Sequence, residues 1–247
     1  MTDRAADVTA QVRGLFDAKA AAWPSKYAPG GRLEGRLTRL ADAVAFHVPA
    51  GGDVLDLGCG TGELAIALAA SGMRATGCDI SPEMLRIAAD ASGSVDWVEL
   101  EPDWRVLPFR ADAFDAVVAS SVLEYVDDPV AALRECCRVL RPGGIVLCTV
   151  PDPRHPMRWL EWLLGVTARM PLARAVGRRW PRLSSYLSYL QISQQRHFSR
   201  WWRAVGARAD LLTAARAADA GRSPLRLMTY NKVATEGHRP TRPEIRG

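Results

Sequence analysis

The chain has 247 residues, 48% of them apolar and 24% charged, a composition that excludes disorder and a length that buries a core without a disulfide or metal staple. No apolar run approaches the roughly 18 residues of a membrane span, and the run 159–166 is already broken by Glu161, so a spanning helix is excluded. The net charge of +5 conceals a segregation: residues 1–150 carry 14 basic and 21 acidic side chains, whereas residues 151–247 carry 18 and 6.

The opening seven residues lack a basic head followed by an apolar run, which predicts no secretory leader. Five cysteines, at 59, 78, 136, 137 and 148, are odd in number and show no Cys-x-x-Cys spacing. They read as small buried thiols in a reducing cytoplasm. Histidines 47, 155, 197 and 238 are far apart and unpaired with cysteines, so no zinc ligand set and no metal are expected.

In chain order, Val8, Val12, Leu15 and Phe16 have the spacing of one helix face and predict a helix over 5–22, ended by a loop with two prolines and two glycines at 24–31. Leu33, Leu37, Leu40 and Val44 predict a second helix. From Asp53 the pattern alternates: strand 53–57, a Gly-rich turn, helix 63–70, strand 74–79, a helix opened by Ser81-Pro82-Glu83, strand 95–100 and strand 114–119. A helix capped by Asp128-Pro129 then runs to Leu140, is stopped by Arg141-Pro142-Gly143-Gly144, and is followed by strand 145–150. Short connections of this kind make βαβ units, so the expected fold is α/β, a Rossmann-like doubly wound, mostly parallel sheet. After Val150 the rhythm fails. The expected organisation is an N-terminal helical lid (1–49), a core (50–150), a basic Trp/Arg-rich helical cap (151–197) inserted after the fifth strand, a last helix and strands (198–234), and a flexible tail (235–247).

The turn after the first strand carries the sharpest signal. In Asp56-Leu57-Gly58-Cys59-Gly60-Thr61-Gly62-Glu63, three alternating glycines let the backbone turn tightly and approach a ligand, with the following helix N-terminus aimed at the same spot. A dinucleotide fingerprint requires glycine at position 63, where this chain has Glu, and no Walker lysine is present. Asp79 ends the second strand, 17 residues beyond Gly62, where a carboxylate accepts both hydroxyls of a ribose. Asp103 and the Trp104 backbone N–H follow the third strand, placed to read an adenine edge. Adenosine bound in this crevice needs no phosphate.

These residues, with Gly77–Leu85 (Gly-Cys-Asp-Ile-Ser-Pro-Glu-Met-Leu), Leu107-Pro108-Phe109, Phe114-Asp115-Ala116-Val117-Val118, Leu123-Glu124-Tyr125-Val126 and Arg141-Pro142-Gly143-Gly144, resemble the successive motifs of class I S-adenosylmethionine-dependent methyltransferases, within the small-molecule group that includes ubiquinone and menaquinone methyltransferases. The resemblance is strong over 50–150 and weak over 198–233. It implies S-adenosylmethionine as cofactor, with Asp56, Gly58, Cys59, Gly60 and Gly62 around its methionine part, Asp79 and Ile80 at the ribose, Met84 near the adenine or ribose, Asp103 and Trp104 at the base, and Ser120 and Ser121 bordering the sulfonium. The segment 16–27 is similar to the N-terminal lid of some of these enzymes, including porphyrin carboxyl methyltransferases. Tyr27 would then close over the cofactor; packing of Trp23 and Tyr27 on the sheet is the alternative.

Methyl transfer from a sulfonium needs alignment and exclusion of water, and a base only when the acceptor arrives protonated. The candidates for that base are His197, His155 and Tyr125. The chain has Ser120-Ser121-Val122-Leu123 where enzymes acting on base amines carry an Asn/Asp-Pro-Pro-aromatic turn, so nucleic acid is not expected as a partner. Residues 154–208 hold eleven arginines against one carboxylate, together with five of the eight tryptophans. Such a cap suits an acidic or amphipathic acceptor. The expected reaction is methylation of a hydroxyl or carboxyl oxygen of a small natural-product intermediate such as a nucleotide-sugar, sugar or polyketide-type compound, in the cytoplasm. The alternatives are a membrane-associated lipid or quinone, with residues 157–182 lying on the membrane surface, and a non-catalytic cofactor-binding module.

Overall fold

Apolar residues that run almost without interruption through a strand signal a sheet covered on both faces. In the computed structural model, which describes residues 2–101, 104–151, 156, 199–209, 211–213 and 225–232, they do so in three of five parallel strands. The five are β1 (Asp53–Leu57), β2 (Arg74–Asp79), β3 (Asp96–Glu99), β4 (Phe114–Ser120) and β5 (Leu140–Pro151), and the apolar runs fill β1, β4 and the second half of β5. Two further strands, β6 (Leu211–Thr213) and β7 (Leu225–Lys232), complete a seven-stranded sheet of order β3-β2-β1-β4-β5-β7-β6. β7 is antiparallel to both β5 and β6. The described helices are α1 (Thr2–Asp17), α2 (Glu34–His47), α3 (Glu63–Ala70), α4 (Pro82–Ala91), α5 (Pro129–Val139) and α6 (Ser199–Ala207).

The period-two alternation of the strands divides the core into two layers. Val54, Ala116, Val118, Ile145 and Leu147 face Leu40 and Val44 of α2 and Leu64, Ala65 and Leu68 of α3. Leu55, Leu57, Val117, Ala119, Val146 and Cys148 face Leu133, Cys136 and Val139 of α5 and Trp202 and Val205 of α6. Where Gly206 lacks a side chain, α6 lies against the Tyr230 ring, whose hydroxyl donates to the Trp202 carbonyl at 2.9 Å. The order reverses between β1 and β4, and the carboxyl ends of these strands open the crevice in which ligands of doubly wound sheets bind. Among the described residues no helix is long and apolar enough to cross a membrane.

Local signals placed most boundaries. Ser81 caps α4 by accepting from the Met84 N–H, and Asp128 caps α5 by accepting from Val130 and Ala131. The N-terminal expectation needs correction: α1 ends at Asp17, and Ala20–Ala22 and Pro24–Lys26 are short 3-10 turns. The amide of Lys19 already bonds to the Phe16 carbonyl at 3.0 Å in the tighter three-residue pattern. A second correction concerns 141–144. The sequence pattern makes them a helix stop ahead of a strand at 145–150; the helix ends at Val139, and 141–144 belong to β5 itself, which starts at Leu140 and absorbs the extra residues in a bulge opposite Phe114–Ala116.

Candidate functional site

The glycine turn folds onto the end of β2. Gly58 and Cys59 donate their N–H groups to the Cys78 carbonyl at 2.8 and 3.0 Å, and Gly60 donates to the Asp79 carboxylate at 2.8 Å. The other Asp79 oxygen accepts from the Ser81 N–H at 2.9 Å. Asp79 is thereby fixed at the end of its strand with acceptor capacity left for a ligand. Burial pushes its pKa up, while the N–H groups of Ser81, Gly60 and Ile80 pull it back.

Asp56, the penultimate residue of β1, is 3% exposed and has no ion-pair partner among the described residues. Its pKa is raised to about 7, chiefly by desolvation and then by the nearby charges of Asp79 and Glu63, against a backbone hydrogen bond from Ala65. A buried carboxyl held near neutrality is poised to ionise when a cation arrives beside it.

Both carboxylates open into one cavity of about 940 Å³. Of the residues singled out from sequence, Tyr27, Asp56, Gly58, Cys59, Gly60, Asp79, Ile80, Met84, Trp104, Ser120, Ser121 and Tyr125 line it. Gly62 does not. Its φ of +86° starts α3, and a Cβ there would stand 2.4 Å from the Trp97 ring, so glycine is required by packing. The indole of Trp97 also occupies the space over Gly77. Asp103, His155 and His197 lie outside the described residues, as does nearly all of the expected cap and the whole tail.

The N-terminal segment forms the opposite side of the turn. A Cβ on Gly60 would meet the Trp23 Nε1 edge at 3.2 Å. Phe16 packs edge-on against both Trp23 and Tyr125, with ring centroids 5.5 and 5.4 Å apart. Asp17 accepts from the Ser81 hydroxyl at 2.5 Å, and Arg13 reaches Glu99 at 2.9 Å, fastening the segment to the edge of the sheet. The Tyr27 hydroxyl is raised to about 12, chiefly by burial, and stays protonated as a hydrogen-bond donor. Cys59 is also raised by burial, so its thiol stays neutral and carries no nucleophilic role.

At the end of β4, Ser121 has a φ of +60°, an uncommon conformation for a side-chain-bearing residue. Two bonds hold it there: its N–H donates to the Thr149 hydroxyl at 2.8 Å, and its own hydroxyl accepts from Arg36 of α2 at 3.2 Å. The strain turns the chain into the cavity beside Ser120.

Sequence reasoning missed two sets of lining residues. Glu124 is 2% exposed and borders the cavity next to Tyr125. It stood inside a motif, but no local pattern separates a buried glutamate from a surface one. Lys19, Lys26, Arg32, Arg36 and Arg39 bring positive charge to the cavity from the N-terminal segment and α2. The charge segregation drew attention to the C-terminal arginines, and the overall acidity of residues 1–150 concealed these.

A family model described as a methyltransferase domain matches residues 55–148. The demethylmenaquinone methyltransferase of Clavibacter sepedonicus is 35% identical over 204 residues, 79% of this chain and 82% of that protein. The ubiquinone biosynthesis O-methyltransferase of Xanthomonas axonopodis pv. citri is 39% identical over 111 residues, 43% of this chain and 46% of the relative. The crystal structure of magnesium protoporphyrin IX methyltransferase from Synechocystis, with bound SAH, superimposes with a TM-score of 0.63 at 17% identity, covering 90% of this chain and 98% of that one. At that identity the likeness speaks to the fold.

Proposed function

The chain belongs to the class I S-adenosylmethionine-dependent methyltransferases, and from that premise we propose that it methylates a small aromatic acceptor of quinone type bearing an acidic group. Two named relatives act in menaquinone and ubiquinone chemistry, which supports the aromatic part. The cationic side of the cavity supports the acidic part. The cofactor, when bound, supplies a methyl group on a sulfonium, a good electrophile with a neutral leaving group.

The residues present fit that cofactor, and the observation that carries the fit is the buried Asp56, with no described cation beside it, opening with Asp79, Gly58 and Gly60 into one cavity. Asp79 accepts from the ribose hydroxyls with its remaining lone pairs. Asp56 faces the cationic methionine end and ionises there. Ile80 and Trp104 pack on the adenine, with Asp103 reading its amine, and Ser120 and Ser121 border the reacting methyl group. The segment from Phe16 to Tyr27 acts as a lid, with Trp23 excluding water over the glycine turn. When the acceptor is a hydroxyl, its proton passes to a base. Tyr125 and Glu124 stand in the cavity for that role; His155 and His197, from the arginine- and tryptophan-rich cap, are the other candidates.

Calorimetry with S-adenosylhomocysteine and with NADH, followed by transfer of a labelled methyl group to naphthoquinol and catechol carboxylates, tests this reading. Binding of the homocysteine adduct and not NADH, with label in an aromatic product, is the expected result. Adduct binding with no label in any acceptor would make the chain a cofactor-binding module.

A further inference from the structure

We propose that Thr149 of β5 is a positioning residue for methyl transfer: its hydroxyl holds Ser121 in the left-handed conformation that sets the Ser120–Ser121 turn against the cofactor's reactive methyl group. The inference rests on the methyltransferase reading and adds to it a residue that acts on the reacting centre from outside the cavity.

The core layer between the sheet and α2 changes character at the carboxyl ends of the strands. Ala116 and Val118 of β4, Ile145 and Leu147 of β5, and Val44 and Leu40 of α2 all belong to that apolar layer. Continuing each row by its own period gives Ser120, Thr149 and Arg36. Three apolar rows thus end in polar side chains where the cavity begins. Thr149 is 5% exposed, and a hydroxyl at that depth costs free energy unless it is bonded. It accepts from the Ser121 N–H at 2.8 Å, and its oxygen lies 3.5 Å from the Ser120 hydroxyl. Ser120 and Thr149 are the last register partners of β4 and β5. Beyond that pair the side chain of Thr149 supplies the acceptor that a continuing strand would supply from its backbone.

The turn is braced from the other side as well. A Cβ on Gly58 would collide with the Val122 side chain, so the residue after Ser121 lies against the glycine turn. Ser120, Ser121 and Val122 line the cavity with Gly58, whereas Thr149 does not, and it therefore acts through the turn. Arg36 holds the Ser121 side chain, and Thr149 holds its backbone. A side-chain-bearing residue at φ +60° persists only where its surroundings hold it. Removing the Thr149 acceptor leaves the part-buried N–H without that bond and lets φ relax to the ordinary region. Ser120 and Ser121 then move relative to the methyl group, and in-line transfer is sensitive to small displacements. In the methyltransferase reading the adenosine half rests on Asp79 and the glycine turn of neighbouring strands, so cofactor affinity survives the change.

The test compares the parent with Thr149→Val, Thr149→Ser, and Thr149→Val combined with Ser121→Gly. Valine keeps the shape and removes the acceptor, serine keeps the acceptor, and glycine is at ease at φ +60° without it. The probe is S-adenosylmethionine carrying carbon-13 in its methyl group, whose signal in the bound state reports the atoms around it. Thr149→Val should bind S-adenosylhomocysteine within about twofold of the parent by calorimetry. It should nevertheless move the bound methyl signal and slow single-turnover transfer to naphthoquinol about 10- to 100-fold. Thr149→Ser should restore both, and the glycine combination should recover part of each. The proposal is overturned if Thr149→Val leaves either the methyl signal or the transfer rate at the parent's value. It is also overturned if Thr149→Ser departs from the parent as far as valine does, or if S-adenosylhomocysteine affinity falls in step with the rate, because Thr149 then serves packing alone. Should Thr149→Val not fold, Thr149→Ala removes the same acceptor and is read in the same way. Failure of S-adenosylhomocysteine to bind the parent would instead overturn the cofactor assignment, so the two failures are distinct.

Discussion

Aspartates stand at both ends of the parallel sheet, and the two ends treat them in opposite ways. At the amino ends of the strands, Asp53 receives a two-pronged contact from Arg74 at 2.6 and 2.9 Å and a third from Arg141 at 2.7 Å. Asp115 receives Arg141 at 2.7 Å and the Asp53 N–H at 2.8 Å. The Arg74 and Arg141 contacts hold the Asp53 carboxyl down at about 2, against the opposing effect of burial. At the carboxyl ends, Asp56 lies three residues along the same strand, is more deeply buried, and has a pKa near 7 with no described cation beside it. Fastened charge at one end joins β1, β2, β4 and β5. Unbalanced charge at the other end is a standing cost that a cationic ligand relieves.

The sharpest way to break this comparison is at Asp79. Asp79→Asn keeps the shape and one acceptor oxygen, yet S-adenosylhomocysteine affinity should fall about 100-fold by calorimetry, the worth of charge-assisted bonds to two hydroxyls. An unchanged affinity would remove Asp79 from the ribose site.

Asp56 offers a test of opposite sign. Its folded pKa of about 7 lies above the ordinary carboxyl value of 3.8, so the folded state holds the proton more tightly. Its contribution to stability is therefore lost as pH rises from about 4 through 7. Asp56→Asn should raise stability by about 2–4 kcal/mol near pH 8 and leave it nearly unchanged near pH 4, measured by urea denaturation. The same variant should bind S-adenosylhomocysteine more weakly. In the parent protein that affinity should decline as pH falls below 7, because Asp56 must lose its proton to meet the ligand's ammonium.

Arg141→Ala addresses the amino end and should have the smallest effect. Stability should drop by about 1–2 kcal/mol at neutral pH, with S-adenosylhomocysteine affinity unchanged within about twofold. Because the Asp53 pKa is depressed, its stabilisation is present above 3.8 and lost as pH falls through about 2. The difference between variant and parent should shrink over that window. A loss of cofactor affinity in this variant would show that the two ends are not independent.

The α/β alternation, the glycine turn, and the places of Asp56 and Asp79 were legible because each is a local pattern. Period-two apolar runs, caps at Ser81 and Asp128, and glycines at fixed offsets act within a few residues of themselves. The extent of α1 was misread because apolar spacing continued past Asp17 while the backbone had already tightened ahead of Pro24.

What tertiary structure decided are meetings of residues far apart in the chain. Gly62 read as a ligand-binding glycine, and only the fold shows Trp97 filling the space its side chain would take. Arg141 read as part of a helix stop and proves to join Asp53 to Asp115, because β1 and β5 both flank β4 and start at the same edge. The positive wall of the cavity likewise arises where the N-terminal segment folds back over the carboxyl ends of the strands. By itself the sequence determined the sheet and the two carboxylates, since hydrophobic period and turn chemistry are short-range. The charge surrounding those carboxylates depends on which distant segments the sheet brings together, and that is a property of the folded chain alone.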